Sequence, residues 1–355
     1  MFTRCVLASF SLTGLISISH AQTHEHAHLR ADDHAPIGVM ADHYHEAGEF
    51  MFSYRYMSMS MQGNLDGSRS ISPASIATSV PNRFFGRPMQ PPTLRVVPTD
   101  MTMDMQMLGV MYAPSDNVTL MAMLNHVDKE MDHVTFQGPA GTTELGTFTT
   151  RASGLGDTSL SALIRVAETE TSRVHMTIGL SVPTGDTDAT GTVLAPTGMS
   201  PTLRLPYPMQ LGSGTYDILA GLTYSRFHEN WSWGSQWRST LRTGDNDEAY
   251  TFGDEHRLTA WYSRVIIEGW SWSTRLEYYD RDNISGIDAA IVAPVQTADP
   301  LNQAATRLDA GFGINWANEA GHRVALEMLV PLDQDLAGPQ LETDTQFTLG
   351  YQYSF

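Results

Sequence analysis

About twelve stretches of ten to fourteen residues in this chain alternate large apolar side chains with small or polar ones. They run over 48–62, 99–112, 118–127, 155–167, 174–184, 213–226, 231–243, 255–267, 269–281, 304–317, 322–331 and 343–355. Period-two alternation puts one set of side chains on each face of a strand. The links between stretches alternate in length. Those at 114–117, 168–173, 228–230, 268 and 318–321 are short, and those near 63–98, 128–154, 185–212, 244–254, 282–303 and 332–342 are longer. A soluble sandwich has no reason to sort its loops this way. A transmembrane antiparallel up-and-down β-barrel does, with short periplasmic turns and long extracellular loops. The fold expected is therefore all-β, a barrel of about twelve strands occupying residues 48–355.

The two faces of each stretch differ as a barrel requires. In 231–243, Trp231, Trp233, Trp237 and Leu241 oppose Gln236, Arg238, Thr240 and Arg242. In 304–317, Leu308, Phe312 and Ile314 oppose Arg307 and Asp309. Charge facing lipid is costly, so the polar set points into a lumen. The candidate solute pathway is Arg55, Arg165, Arg238, Arg242, Arg275, Glu277, Arg307, Asp309 and Glu327. Trp231, Trp233, Trp270, Trp272 and Trp316 sit beside short links, where a periplasmic aromatic girdle belongs. The last stretch alternates Phe347, Leu349, Tyr351, Tyr353 and Phe355 with small or polar residues and ends on the aromatic. Such an ending resembles the signal that outer-membrane barrels present to the barrel assembly machinery.

Arg4, the apolar run Val6–Ile18 and the small-x-small triplet Ser19-His20-Ala21 have the layout of an export signal, expected as 1–21 and cleavable. After it no run approaches eighteen apolar residues, so no transmembrane helix is expected. Residues 22–47 are polar, rich in histidine and aperiodic, and read as a flexible periplasmic arm. The formal charge of −18 argues against nucleic acid as a partner. The expected location is the outer membrane of a Gram-negative cell, with its lipid as surroundings.

Three short segments carry a family likeness. They are Tyr112–Met121, Gly154–Asp157 opening a strand, and Ser181–Asp186 closing the next. In order and spacing they resemble the outer-membrane family associated with meta-pathway phenol degradation. That resemblance implies a transporter-like barrel for hydrophobic or aromatic compounds and brings no catalytic residues.

Two enrichments stand outside that pattern. The arm holds His24, His26, His28, His34, His43 and His45, and imidazoles on a mobile segment bind Cu(II), Ni(II) or Zn(II). Fourteen of nineteen methionines lie between Met40 and Met131. Met57, Met59 and Met61 on the first stretch and Met121 and Met123 on the third are expected to point inward. For the second stretch either face is open. If Met103, Met105 and Met107 also point inward, the three stretches form a thioether wall suited to Cu(I) or Ag(I). The functional expectation is a channel or transporter for small solutes, hydrophobic or aromatic. The alternative is a barrel handling copper or another soft ion. No Ser-His pair and no Gly-x-Ser-x-Gly elbow supports an enzyme.

Overall fold

The computed structural model describes residues 30–355. The expected export signal, and with it His24, His26 and His28, lies outside the described residues.

Eleven antiparallel strands close into a ring. In chain order they are β1 (Phe50–Gly67), β2 (Val96–Ser115), β3 (Val118–Phe136), β4 (Thr158–Thr169), β5 (Ser172–Val182), β6 (Asp217–Phe227), β7 (Trp231–Leu241), β8 (Glu255–Ile267), β9 (Trp270–Arg281), β10 (Ala305–Ala317) and β11 (His322–Ser354). A ring of eleven straight strands cannot be antiparallel throughout. The last strand resolves this by doubling back. Arg323–Leu336 pairs with β10, Leu336–Ser354 pairs with β1, and the reversal falls at Gly338, whose φ is +71°. The chain therefore makes twelve passes around the ring.

The strand set differs from expectation where the expected links 128–154 and 332–342 proved to be strand. β3 runs on to Phe136 and pairs with a further strand, Glu144–Leu155. That strand lies on the path of β4, from which Gly156-Asp157 separates it. Alternation weakens there because both faces of these extensions are polar. Glu130 pairs with Arg151 across them at 2.8 Å, on the outside.

Large apolar side chains circle the outside of the barrel. Phe52, Leu108, Leu124, Ile178, Leu222, Trp237, Leu258, Leu276, Phe312 and Leu349 are all exposed, one from each of ten strands. A continuous exposed apolar belt of this kind is a lipid-facing surface. At its short-turn edge lies a chain of aromatic rings. Phe50 stacks on Tyr112 and Phe355, Trp231 on His228 and Tyr262, and Trp272 on Phe312. Asp104 faces outward at the other edge and accepts a 2.9 Å hydrogen bond from Tyr56.

Residues 30–47 are not a free arm. They enter the short-turn end of the barrel and fill it. Ala31, Ala35, Ile37, Val39 and Ala41 are buried, and Ala35 and Val39 pack on the inward ring of Trp261. The segment forms no helix or sheet, so its backbone groups need partners from the wall. Ser271 and Ser232 donate to the carbonyls of Ala31 and Asp32, Arg323 to Ala35 and Gln236 to Met40. Glu327 accepts from the Gly38 amide, and Thr119 from that of His45. Polar residues that the sequence assigns to a wet lumen thus hold a plug.

The long-loop end is covered as well. Loops between β1 and β2, β5 and β6, β7 and β8, and β9 and β10 pack Phe84, Tyr207, Tyr250, Ile284, Ile291 and Val295 into one apolar cluster over the barrel mouth.

Candidate functional site

Between plug and loop cluster lies a cavity of about 600 Å³. That falls within the roughly 300–1,000 Å³ typical of small-molecule sites. Its floor is the plug tip, Ile37-Gly38-Val39-Met40, and Tyr207, Pro208 and Phe252 come down from the loops.

Its two walls are chemically different. β1 and β2 are in register with methionine opposite methionine: Met57 with Met105, Met59 with Met103, Met61 with Met101. All six face the cavity, joined by Met107 and, from β3, Met131. β7 to β10 present Arg238, Arg242, Arg257, Arg275, Arg281 and Arg307; β7 and β8 stand opposite β1 and β2 in the twelve-pass ring, and only the two passes of β11 separate β10 from β1. A thioether wall therefore faces a guanidinium wall.

The charges are only partly balanced. Eight cationic side chains line the cavity against four carboxylates. Arg242 pairs with Asp217 at 2.6 Å, Arg275 with Glu327 at 2.5 Å and Arg307 with Asp309 at 2.8 Å. Arg257 reaches Glu277 at 2.8 Å and stacks over Tyr279. Among the described residues, Arg55, Lys129, Arg238 and Arg281 have no carboxylate within ion-pairing distance. Lys129 donates to the carbonyls of Pro208 and Gln210, and Arg281 to that of Gln303. Arg238 sits directly across from Arg257 on β8. It is a half-buried cation beside another cation.

Of the residues picked from sequence, Arg55, Arg238, Arg242, Arg275, Glu277 and Arg307 line this cavity, as do Met57, Met59, Met61, Met103, Met105 and Met107. Glu327 and Asp309 stand one layer behind, under Arg275 and Arg307. Arg165 is elsewhere: it lies near the short turns, paired with Glu168 at 2.5 Å and stacked over Tyr44. Met121 and Met123 point inward below the plug tip, beside Asp42 and His43. His45 contacts Glu49 at 3.2 Å. Lys129, Arg257, Arg281 and Glu255 were missed. The signal for the last three was the alternation already used on β8 and β9, on which they share the inward face.

The plug has its own polar cluster. The Nδ1 atoms of His34 and His43 are 3.3 Å apart, and that of His43 is 2.9 Å from Asp42. Burial, with the neighbouring His43, lowers the pKa of His34 to about 3. Burial also lowers that of His43.

No protein-family model matches the chain, and no curated protein matches its sequence. Solved structures do match in shape. An outer-membrane channel from Pseudomonas putida F1 superimposes with a TM-score of 0.57 at 14% identity, over 89% of this chain and 99% of the channel. The two chains share a fold. The β domain of the Bordetella autotransporter BrkA (TM-score 0.45, 11% identity, 87% and 100% covered) is more distant. So is the P. putida toluene transporter TodX (0.42, 9%, 87% and 90%). Neither is close enough to bear on the argument. The closed antiparallel barrel and its apolar belt are thus the fold of an outer-membrane barrel.

Proposed function

We propose that this protein is an outer-membrane channel for small amphipathic organic anions, molecules with an apolar or aromatic body and a carboxylate-like head. The observation that carries this reading is the two-sided chamber. A polarisable methionine surface receives an apolar body. Arg238 and Arg281 across from it receive an anion at little electrostatic cost, because no protein carboxylate has to be displaced. The short turns and both chain termini of the barrel face the periplasm, the long loops face outside, and residues 1–21 are removed on export. The motifs Tyr112–Met121, Gly154–Asp157 and Ser181–Asp186 support an aromatic body, through their resemblance to the phenol-degradation family.

Titration calorimetry on the detergent-solubilised barrel tests this reading. Benzoate is expected to bind, while benzyl alcohol and acetate, each lacking one half of the pattern, bind much more weakly. Equal affinity for all three would remove it.

The inward thioethers favour a second reading, capture of a soft ion such as Cu(I) or Ag(I). Replacing Met57, Met59, Met103 and Met105 with Leu conserves volume and removes sulfur. Loss of Ag(I) binding with benzoate binding retained would support soft-ion handling. Unchanged Ag(I) binding would leave these methionines as an apolar wall only.

A further inference from the structure

The plug residues 34–43 form a loop whose tip, Ile37 to Met40, is the chamber floor. The two ends of that loop meet. His34 and His43 stand against each other edge to face, and Asp42 lies beside both. Asp42 also accepts from the Ala35 amide at 3.0 Å, across the same base.

The donor spacing is that of a metal site. The separations are 3.3 Å between the two Nδ1 atoms, 2.9 Å from His43 Nδ1 to Asp42 Oδ1 and 3.7 Å from His34 Nδ1 to Asp42 Oδ2. Ligands about 2.0–2.1 Å from a tetrahedral ion sit about 3.4 Å from one another. The donor atoms of the three residues fall within 4.8 Å of one another. Nδ1 of His43 lies between Nδ1 of His34 and Oδ1 of Asp42, so donor atoms from all three residues converge. A small void beside Asp42 and His43, bordered by Met51, Met111, Met121 and Met123, has room for about one water-sized sphere.

We propose that His34, Asp42 and His43 bind a borderline divalent ion of the Zn(II) type, with a fourth position open to water, and that this ion staples the plug loop shut beneath the chamber. Two imidazoles and a carboxylate are a donor set such ions take. The ion closes a ten-residue loop, so it stabilises the seated tip over other conformations of the segment. The site stands independently of the chamber's solute, because none of its three ligands touches the guanidinium wall.

The test uses the full barrel in detergent, stripped with chelator and titrated with Co(II) and Zn(II). The expected result is one tightly held ion per chain, with the intense visible absorption of four-coordinate Co(II). His34→Gln/His43→Gln and Asp42→Asn should each abolish it. A variant with His24, His26 and His28 changed to Ala should keep it. Heat-modifiable migration shows that each variant is assembled. Asp42→Asn preserves side-chain shape, so it decides the matter if the double variant fails to assemble. A six-coordinate spectrum overturns the site, as does binding that survives Asp42→Asn or vanishes with the change of His24, His26 and His28.

Discussion

A Cβ at Gly350 would lie 2.6 Å from Cγ1 of Ile37. The barrel wall is indented where the tip of the plug seats, and β11 supplies the indentation by having no side chain there. Gly234 does the same for Trp261, the plug's other apolar neighbour. Gly350→Val should therefore unseat the plug while leaving the barrel assembled. Overpacking costs about 1–3 kcal/mol, enough to shift a segment held by hydrogen bonds and a few apolar contacts. In planar bilayers the variant should conduct more than wild type, and protease added from the short-turn side should cut within 30–47. Wild-type conductance would mean that the plug does not block the path.

Glu327 ties the plug tip to the wall, accepting from the Gly38 amide at 2.7 Å and pairing with buried Arg275. Removing one partner of a buried pair is far more damaging than removing both. Arg275 keeps Glu277 at 2.8 Å, so Glu327→Ala, which also orphans the Gly38 amide, should cost about 1–3 kcal/mol in denaturant unfolding. Glu327→Ala with Arg275→Met should recover a substantial part of that. A single-variant cost under about 1 kcal/mol would show that water screens the pair.

Much of this was legible in the chain. The alternation over 231–243 and 304–317 and the sorting of links by length were enough for the barrel, because lipid and lumen impose opposite demands on neighbouring side chains. The inward face of Met57, Met59 and Met61 followed from Phe52 and Tyr54 lying on the other face. The plug was not legible. Residues 30–47 carry no period, and their burial comes from partners 74 to 289 positions away, as with His45 on Thr119 and Gly38 on Glu327. Ser232, Ser271 and Gln236 look like residues wetted by a lumen until the segment they hold is seen. Lys129 was lost because β3 runs past the apolar belt, where both faces turn polar. Arg165 was placed on the correct face but at the wrong height, since alternation fixes direction and not depth.

Phe355 completes the aromatic edge, its ring 6.0 Å from Phe50 and 5.3 Å from Tyr353. Its backbone also pairs with Phe50, closing the barrel seam. Phe355→Ser should lower assembled protein in cells, read as loss of the heat-modifiable band, with export unchanged. Phe355→Trp should restore it. Full assembly of the Ser variant would show that the terminal ring serves neither as seam nor as assembly signal.

The central claim is that the chamber carries amphipathic anions along its guanidinium wall, with Arg238, which no carboxylate pairs, as the cation best placed to meet them. Its most direct test is uptake of radiolabelled benzoate into proteoliposomes, compared for wild type and Arg238→Gln, each also in the Gly350→Val background so that the plug does not limit flux. Losing one charge-assisted contact should weaken benzoate binding by about 10–100-fold. Its uptake at low concentration should drop accordingly, while uptake of the neutral sugar arabinose stays the same. Equal benzoate uptake with and without the Arg238 charge would contradict the account.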